Sequence, residues 1–108
     1  GTDRSQMALA ANRLAEVGGG ITIFRDNTEM ALVELPIAGL MSDRPAKDVA
    51  TQANKMMEAM ADCGCTLNNA YMQHSLLALV VIPELRISDL GLVDTRSFEF
   101  VPVLEQEI

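Results

Sequence analysis

Three groups of residues could do chemistry here: the thiols Cys63 and Cys65 flanking Gly64, the single imidazole His74, and the triplet Gly18-Gly19-Gly20. A binuclear hydrolytic metal centre needs several imidazoles and carboxylates on separate strands, and one histidine cannot supply an H-x-H pair. Cys63, Cys65 and His74 would make three ligands for zinc where a structural site commonly uses four, so ordinary thiols at the end of a buried helix are the preferred reading. A Cys-His nucleophilic pair lacks any identifiable activating or oxyanion element. His74 reads as a hydrogen-bonded structural residue, and Glu84 and Asp89 as solvated turn and strand-end residues. Phosphate-cradling glycine loops follow a strand and open a helix. The triplet follows a helix pattern and opens a strand pattern, so helix termination with close backbone packing is preferred.

The stretch Leu35-Pro36-Ile37-Ala38-Gly39-Leu40-Met41-Ser42-Asp43 is apolar yet broken by proline and glycine, which reads as an ordered loop. Such a loop on a small domain packs on something or binds something. Met41, Ser42 and Asp43 are its candidate site residues, set against the plainer expectation that Ser42 or Asp43 caps the following helix.

The elements that must position these groups follow from spacing. Asp3 and Gln6 form a D-x-x-Q capping box, and Met7, Ala10, Ala11, Leu14 and Val17 recur at helical intervals up to a stop at Gly18. Asn12, Arg13 and Glu16 fall on the opposite side. Ile21 to Phe24 and Met30 to Leu35 predict a β-hairpin turning at Asp26-Asn27, with Pro36 ending the second strand. A second helix should start near Ser42 or Asp43 with Pro45 in its first turn and stop at Gly64. Its predicted buried stripe is Ala46, Val49, Ala50, Ala53, Met56, Met57 and Met60. Met7, Met56, Met57 and Met60 are read as gap-filling core thioethers. Tyr71 to Leu79 is too uniformly apolar to separate strand from buried helix, while Leu85 to Ile87 and Phe98 to Val103 predict short strands.

The predicted fold class is α/β of the α+β type: a small, mostly antiparallel sheet with two amphipathic helices packed on it. At 108 residues, one domain is the expectation, with modest stability. A net charge of −7 argues against nucleic acid and anionic membrane as partners, and no apolar run is long enough to span a bilayer. Two closely spaced cysteines suit a reducing compartment, so the chain reads as cytoplasmic. A start at Gly1-Thr2-Asp3 with a helix cap almost at once suggests a piece of a longer protein.

Three stretches resemble the C-terminal domain of bacterial adenine deaminases, members of the metal-dependent amidohydrolase superfamily. They are Met7 to Ile21, Leu35 to Asp43, and Ser75 through Val81-Ile82-Pro83-Glu84-Leu85 to Gly91-Leu92-Val93-Asp94, with Phe98 and Val101 beyond. Ala70 and Val80 stand where that family commonly has proline, and Gln73 and His74 where it has small or apolar residues. The resemblance implies that residues 1–108 are an accessory domain of a multidomain, homo-oligomeric parent. That parent would hydrolyse adenine to hypoxanthine and ammonia in purine salvage, using a binuclear manganese or iron centre. The catalytic amidohydrolase barrel of the same chain is the implied partner and adenine the parent's substrate. A (β/α)8 barrel needs about 200 residues or more, so the fragment should carry no catalytic, cofactor-binding or metal-binding residue and should be inactive alone. The loop from Leu35 to Asp43 would then lie against the barrel. Two rival readings are an autonomous small-molecule binding or regulatory domain and a structural oligomerisation module.

Overall fold

The computed structural model of the chain describes residues 1–104. Within it the backbone runs α1 (Arg4–Val17), β1 (Gly20–Arg25), β2 (Thr28–Glu34), α2 (Ala46–Asp62), α3 (Ala70–Ser75), a 3₁₀ turn (Leu76–Ala78), β3 (Leu85–Ser88), β4 (Gly91–Asp94) and β5 (Glu99–Phe100). The architecture is α+β, with every strand pair antiparallel. Pairing is divided between a two-stranded sheet, β1-β2, and a three-stranded sheet, β3-β4-β5. The chain separates into two compact units, Gly1–Tyr71 and the residues from Met72 onward.

In the first unit, Asp3 starts α1 as the capping box predicts. Its carboxylate accepts from the Gln6 amide at 2.9 Å, and Gly18 ends the helix in the left-handed region at φ 84°. The reciprocal half of the box is diverted. The Gln6 side chain instead donates to Asn27 Oδ1 at 2.8 Å and accepts from the Asn27 amide at 2.9 Å, clamping the helix start to the hairpin turn. Asp26 and Asn27 sit at φ 53° and 61°, the paired positive values that a two-residue turn matched to strand twist requires.

Alternation along the hairpin puts Ile21 opposite Val33 and Ile23 opposite Ala31 on one face. That face meets α2, and Ala31, Val33, Met56, Ala59, Met60 and Ala70 form the buried cluster, flanked by Ile21, Ile23, Leu35 and Tyr71. Met56 and Val33 are fully buried, each contributing about 1.5–3 kcal/mol of transfer free energy. α1 also packs on β1 but buries no residue fully. Polar clamps supplement its half-buried Leu14 and Val17: besides Gln6, the Arg13 guanidinium donates to Glu29 at 2.7 Å and to Glu16 at 3.0 Å. These bonds, Glu29 foremost, raise the Arg13 pKa above its ordinary value.

The structure departs from the spacing in both helices. Met7 is 43% exposed and Ala11 is exposed, so the lower part of the α1 stripe is not core, whereas Arg13 is half-buried. On α2, Ala46 and Ala50 are exposed and Ala59, outside the predicted stripe, is buried. Neither Ser42 nor Asp43 caps α2: Pro45 occupies the N-cap position with no side-chain cap bond. A residue preceding proline is disfavoured in the helical region, so Arg44 stays outside and the helix starts one residue after Pro45. At the other end the helix stops as predicted, with Gly64 at φ 87° and Arg25 donating to the Asp62 carbonyl at 2.8 Å. The segment from Tyr71 to Leu79, for which the sequence leaves strand and helix open, is helical up to Ala78, as α3 and the 3₁₀ turn, and extended at Leu79.

In the second unit, β3 forms where predicted, β4 was not foreseen, and the strand expected over Phe98 to Val103 shrinks to Glu99–Phe100. Thr95 closes the open end of the β3-β4 hairpin, its amide and its hydroxyl both donating to the Glu84 carbonyl at 2.9 Å.

Candidate functional site

The loop from Leu35 to Asp43 is built on the glycine triplet. The Leu35 amide donates to the Gly19 carbonyl at 3.0 Å, which continues the hairpin pairing past β2. A Cβ on Gly19 would lie 2.8 Å from Gly39 Cα and 3.1 Å from the Leu35 carbonyl oxygen, so the loop can sit on the triplet only because position 19 has no side chain. The close-packing reading of the triplet thus holds, and what it packs against is the loop.

The loop then folds on itself. Ile37 and Met41 exchange both backbone hydrogen bonds at 3.1 Å, and Ala38 and Gly39 turn the chain with φ 56° and 71°. This miniature hairpin is therefore ordered, as the sequence suggested. At its far end the Ser42 hydroxyl accepts from the Arg44 amide at 3.1 Å, which is the bond it makes in place of a helix cap. The Arg44 guanidinium reaches back to Glu34 at 2.7 Å, closing the loop across its base, and the Gln52 side chain accepts from the Glu34 amide at 3.3 Å.

With Leu35 packed against the core and Ile37 paired with Met41, the turn of the loop holds its apolar side chains outward. Leu40 is 73% and Met41 58% exposed, and Ile37 is exposed as well. Leu35, Leu40, Met41, Val49 and Tyr71 line a groove of about 680 Å³, with Ser42 and Arg44 as its polar members. Of the predicted site residues, the structure brings Met41 and Ser42 to this groove, and leaves Asp43 exposed beside it. Arg44 and Tyr71 were not singled out from the sequence. The signal for Arg44 was its place between Asp43 and Pro45, where no helix could absorb it.

The remaining chemistry-bearing residues do not converge. Cys63 and Cys65 are free thiols: Cys63 is exposed with its Sγ donating to Met30 Sδ at 3.9 Å, and Cys65 packs against the buried cluster. His74 is exposed on α3. Among the described residues no group of three or more His, Cys, Asp or Glu side chains could hold a metal ion. With one imidazole in the sequence, these residues do not fit a binuclear metal centre. No described helix is long and apolar enough to cross a membrane.

Comparison with known proteins gives a consistent picture. The family model described as the adenine deaminase C-terminal domain matches residues 1–99. A protein named adenine deaminase from Ruegeria sp. (strain TM1040) is 82% identical over 105 residues, covering 97% of this chain and 18% of the relative. "Adenine deaminase 3" from Rhizobium meliloti (strain 1021) is 64% identical over 104 residues, covering 96% of this chain and 18% of the relative. The adenine deaminase of Clostridium botulinum (strain ATCC 19397 / Type A) is 43% identical over 107 residues, covering 99% of this chain and again 18% of the relative. The chain thus spans less than one fifth of the length of these relatives. No solved structure matches.

Proposed function

Because the chain belongs to the adenine deaminase C-terminal domain family, we propose that it is the accessory domain of an enzyme that hydrolyses adenine to hypoxanthine and ammonia, and that its own residues perform no step of that reaction. The observation that carries this reading is the disparity between the match and the chemistry. Similarity runs along nearly the whole chain, yet the chain offers one exposed imidazole and no ligand cluster among its described residues. The ligands, and with them a binuclear manganese or iron centre that would activate water, belong to a preceding barrel.

On this reading the loop from Leu35 to Asp43 rests against that barrel and helps fix its position. An ordered loop that pairs Ile37 with Met41 and presents Leu40 and Met41 outward is suited to burial by a neighbour rather than to life in water. Met41, Ser42 and Asp43 then face the barrel, Met41 supplying apolar area and Ser42 holding the turn through the Arg44 amide. The parent works in a reducing cytoplasm as a homo-oligomer in purine salvage, and the free thiols suit that compartment.

The experiment is a comparison of two proteins with manganese supplied to both. The full-length chain should release ammonia from adenine in a chelator-sensitive manner, and the purified 108-residue domain should release none above contaminant controls. Turnover by the domain alone would overturn the proposal. In the full-length chain, Leu40→Asp should lower thermal stability, and an unchanged melting profile would remove the loop from the interface.

A further inference from the structure

The second unit presents an apolar hairpin that its own residues leave uncovered. Thr95 is its one buried residue among those described, and Thr95 is polar. Strands with one face on a core alternate buried apolar with solvated polar residues. Here β3 does the reverse: Leu85 and Ile87 are exposed while Arg86 and Ser88 are half-buried. Ile87 is 82% exposed, and Leu90, at the turn into β4, is 78% exposed. The turn is not loose, because the Ser88 hydroxyl accepts from the Leu90 and Gly91 amides at 3.2 Å and donates to the Gly91 carbonyl at 2.9 Å. A stiff hairpin thus holds Leu85, Ile87 and Leu90 in water.

We propose that the β3-β4 hairpin is a second docking element, seated through Leu85, Ile87 and Leu90 in an apolar recess of the polypeptide that precedes this domain in its relatives, where it gains the core its own unit lacks. Two observations select that occupant. More than four fifths of each compared relative lies outside the matched region, on the same chain and so at high effective concentration. The apolar residues are also rimmed by exposed Glu84, Asp89 and Glu99, whereas the neighbouring cations are engaged: Arg96 is bound to Asp94 at 3.2 Å, and Arg86 donates to the Leu85 and Pro83 carbonyls at 2.8 Å. A second copy of this chain would bring one acidic rim against another. A recess edged with lysine or arginine on the preceding polypeptide would complement it.

This inference takes from the proposed function only the identity of the preceding polypeptide as the catalytic barrel. The test is hydrogen exchange read by mass spectrometry on the full-length chain and on its Ile87→Asp and Leu90→Asp variants. Leu90 is almost wholly in solvent within the domain, so its replacement does not endanger the hairpin's own fold. Both variants should accelerate exchange about tenfold or more in β3-β4 and in at least one segment upstream of the domain, with β1-β2 unchanged. Exchange unchanged upstream in both variants overturns the proposal. So does a loss of self-association with upstream exchange intact, which would assign the hairpin to a contact between copies. A full-length chain that couples these segments but does not deaminate adenine would refute the functional reading and leave the docking standing. Deamination without coupling would do the reverse.

Discussion

Replacing Gly19 by alanine should cost far more than the same replacement at Gly39, although both glycines have positive φ. Gly19 lies at φ 126°, outside even the small left-handed region open to side chains, and its added Cβ would sit 2.8 Å from Gly39 Cα. The backbone strain costs about 1–3 kcal/mol, and displacing backbone rather than a flexible side chain adds about 1–3 kcal/mol. Alanine returns about 0.4–1 kcal/mol by restricting the unfolded chain. The net is a destabilisation of about 1–6 kcal/mol, centred on about 3 kcal/mol. Gly39, at φ 71° with nothing within 4 Å of its added Cβ, carries only the left-handed cost of about 1–2 kcal/mol less the same return. At about 4–8 °C per kcal/mol for a domain near 100 residues, the central values of about 3 and about 0.8 kcal/mol correspond to a Tm lowered by about 12–24 °C in Gly19→Ala and by about 3–6 °C in Gly39→Ala. Circular dichroism melts of the purified chain measure the difference, and exchange of the Leu35 amide, which donates to the Gly19 carbonyl, reports whether the loop has lifted. Equal Tm shifts for the two variants, or a protected Leu35 amide in Gly19→Ala, would show that the loop does not depend on the triplet.

Three further predictions bear on the core, the clamp and the acid limb. Met56→Ala removes a fully buried side chain from the α2-hairpin cluster and should destabilise by about 2–5 kcal/mol, read as a lower denaturant midpoint at unchanged slope. Gln6→Ala breaks both bonds to Asn27 without touching the Asp3 cap and should cost about 1–2 kcal/mol; amide exchange at Asn27 should rise while helix content by circular dichroism stays constant. The Arg96 side chain, followed by its amide, holds the Asp94 carboxyl below its ordinary pKa. A depressed folded pKa contributes stability above the unfolded value and loses it as pH falls through the folded one. Arg96→Ala should therefore raise the Asp94 titration midpoint, followed by carbonyl NMR, toward that of an ordinary aspartate; an unmoved midpoint would show that the pair does not form in solution.

What the sequence revealed was governed by nearest neighbours. The Asp3 cap, the Gly18 stop, the turn at Asp26-Asn27 and the end of α2 at Gly64 each depend on residues within a few positions, and each is where spacing placed it. What it concealed was decided by partners far along the chain. Gln6 left its capping box because Asn27 offered a better-placed pair of groups, and Arg13 became half-buried because Glu29 approaches it from β2. The second helix shows a different failure. Ser42 and Asp43 are good caps by type, but the conformational restriction that Pro45 places on Arg44 moves the helix start beyond their reach. The candidate loop was legible as an ordered, apolar, non-repetitive segment, and Met41 and Ser42 do line its groove.

β4 was hidden for a reason that bears on the whole reading. Gly91 to Asp94 is half-buried throughout instead of alternating, and in β3 the apolar residues point to water, so neither strand carries the pattern that a sheet covered on one face by its own chain would impose. Alternation is a record of where the core lies. In Gly1–Tyr71 the core is supplied by the same residues that are read, and β2, which faces α2, alternates half-buried with buried positions from Met30 to Glu34. A strand such as β3, whose apolar side chains lie in solvent, has a pattern that makes sense against another surface, and this is the observation on which the proposed docking rests.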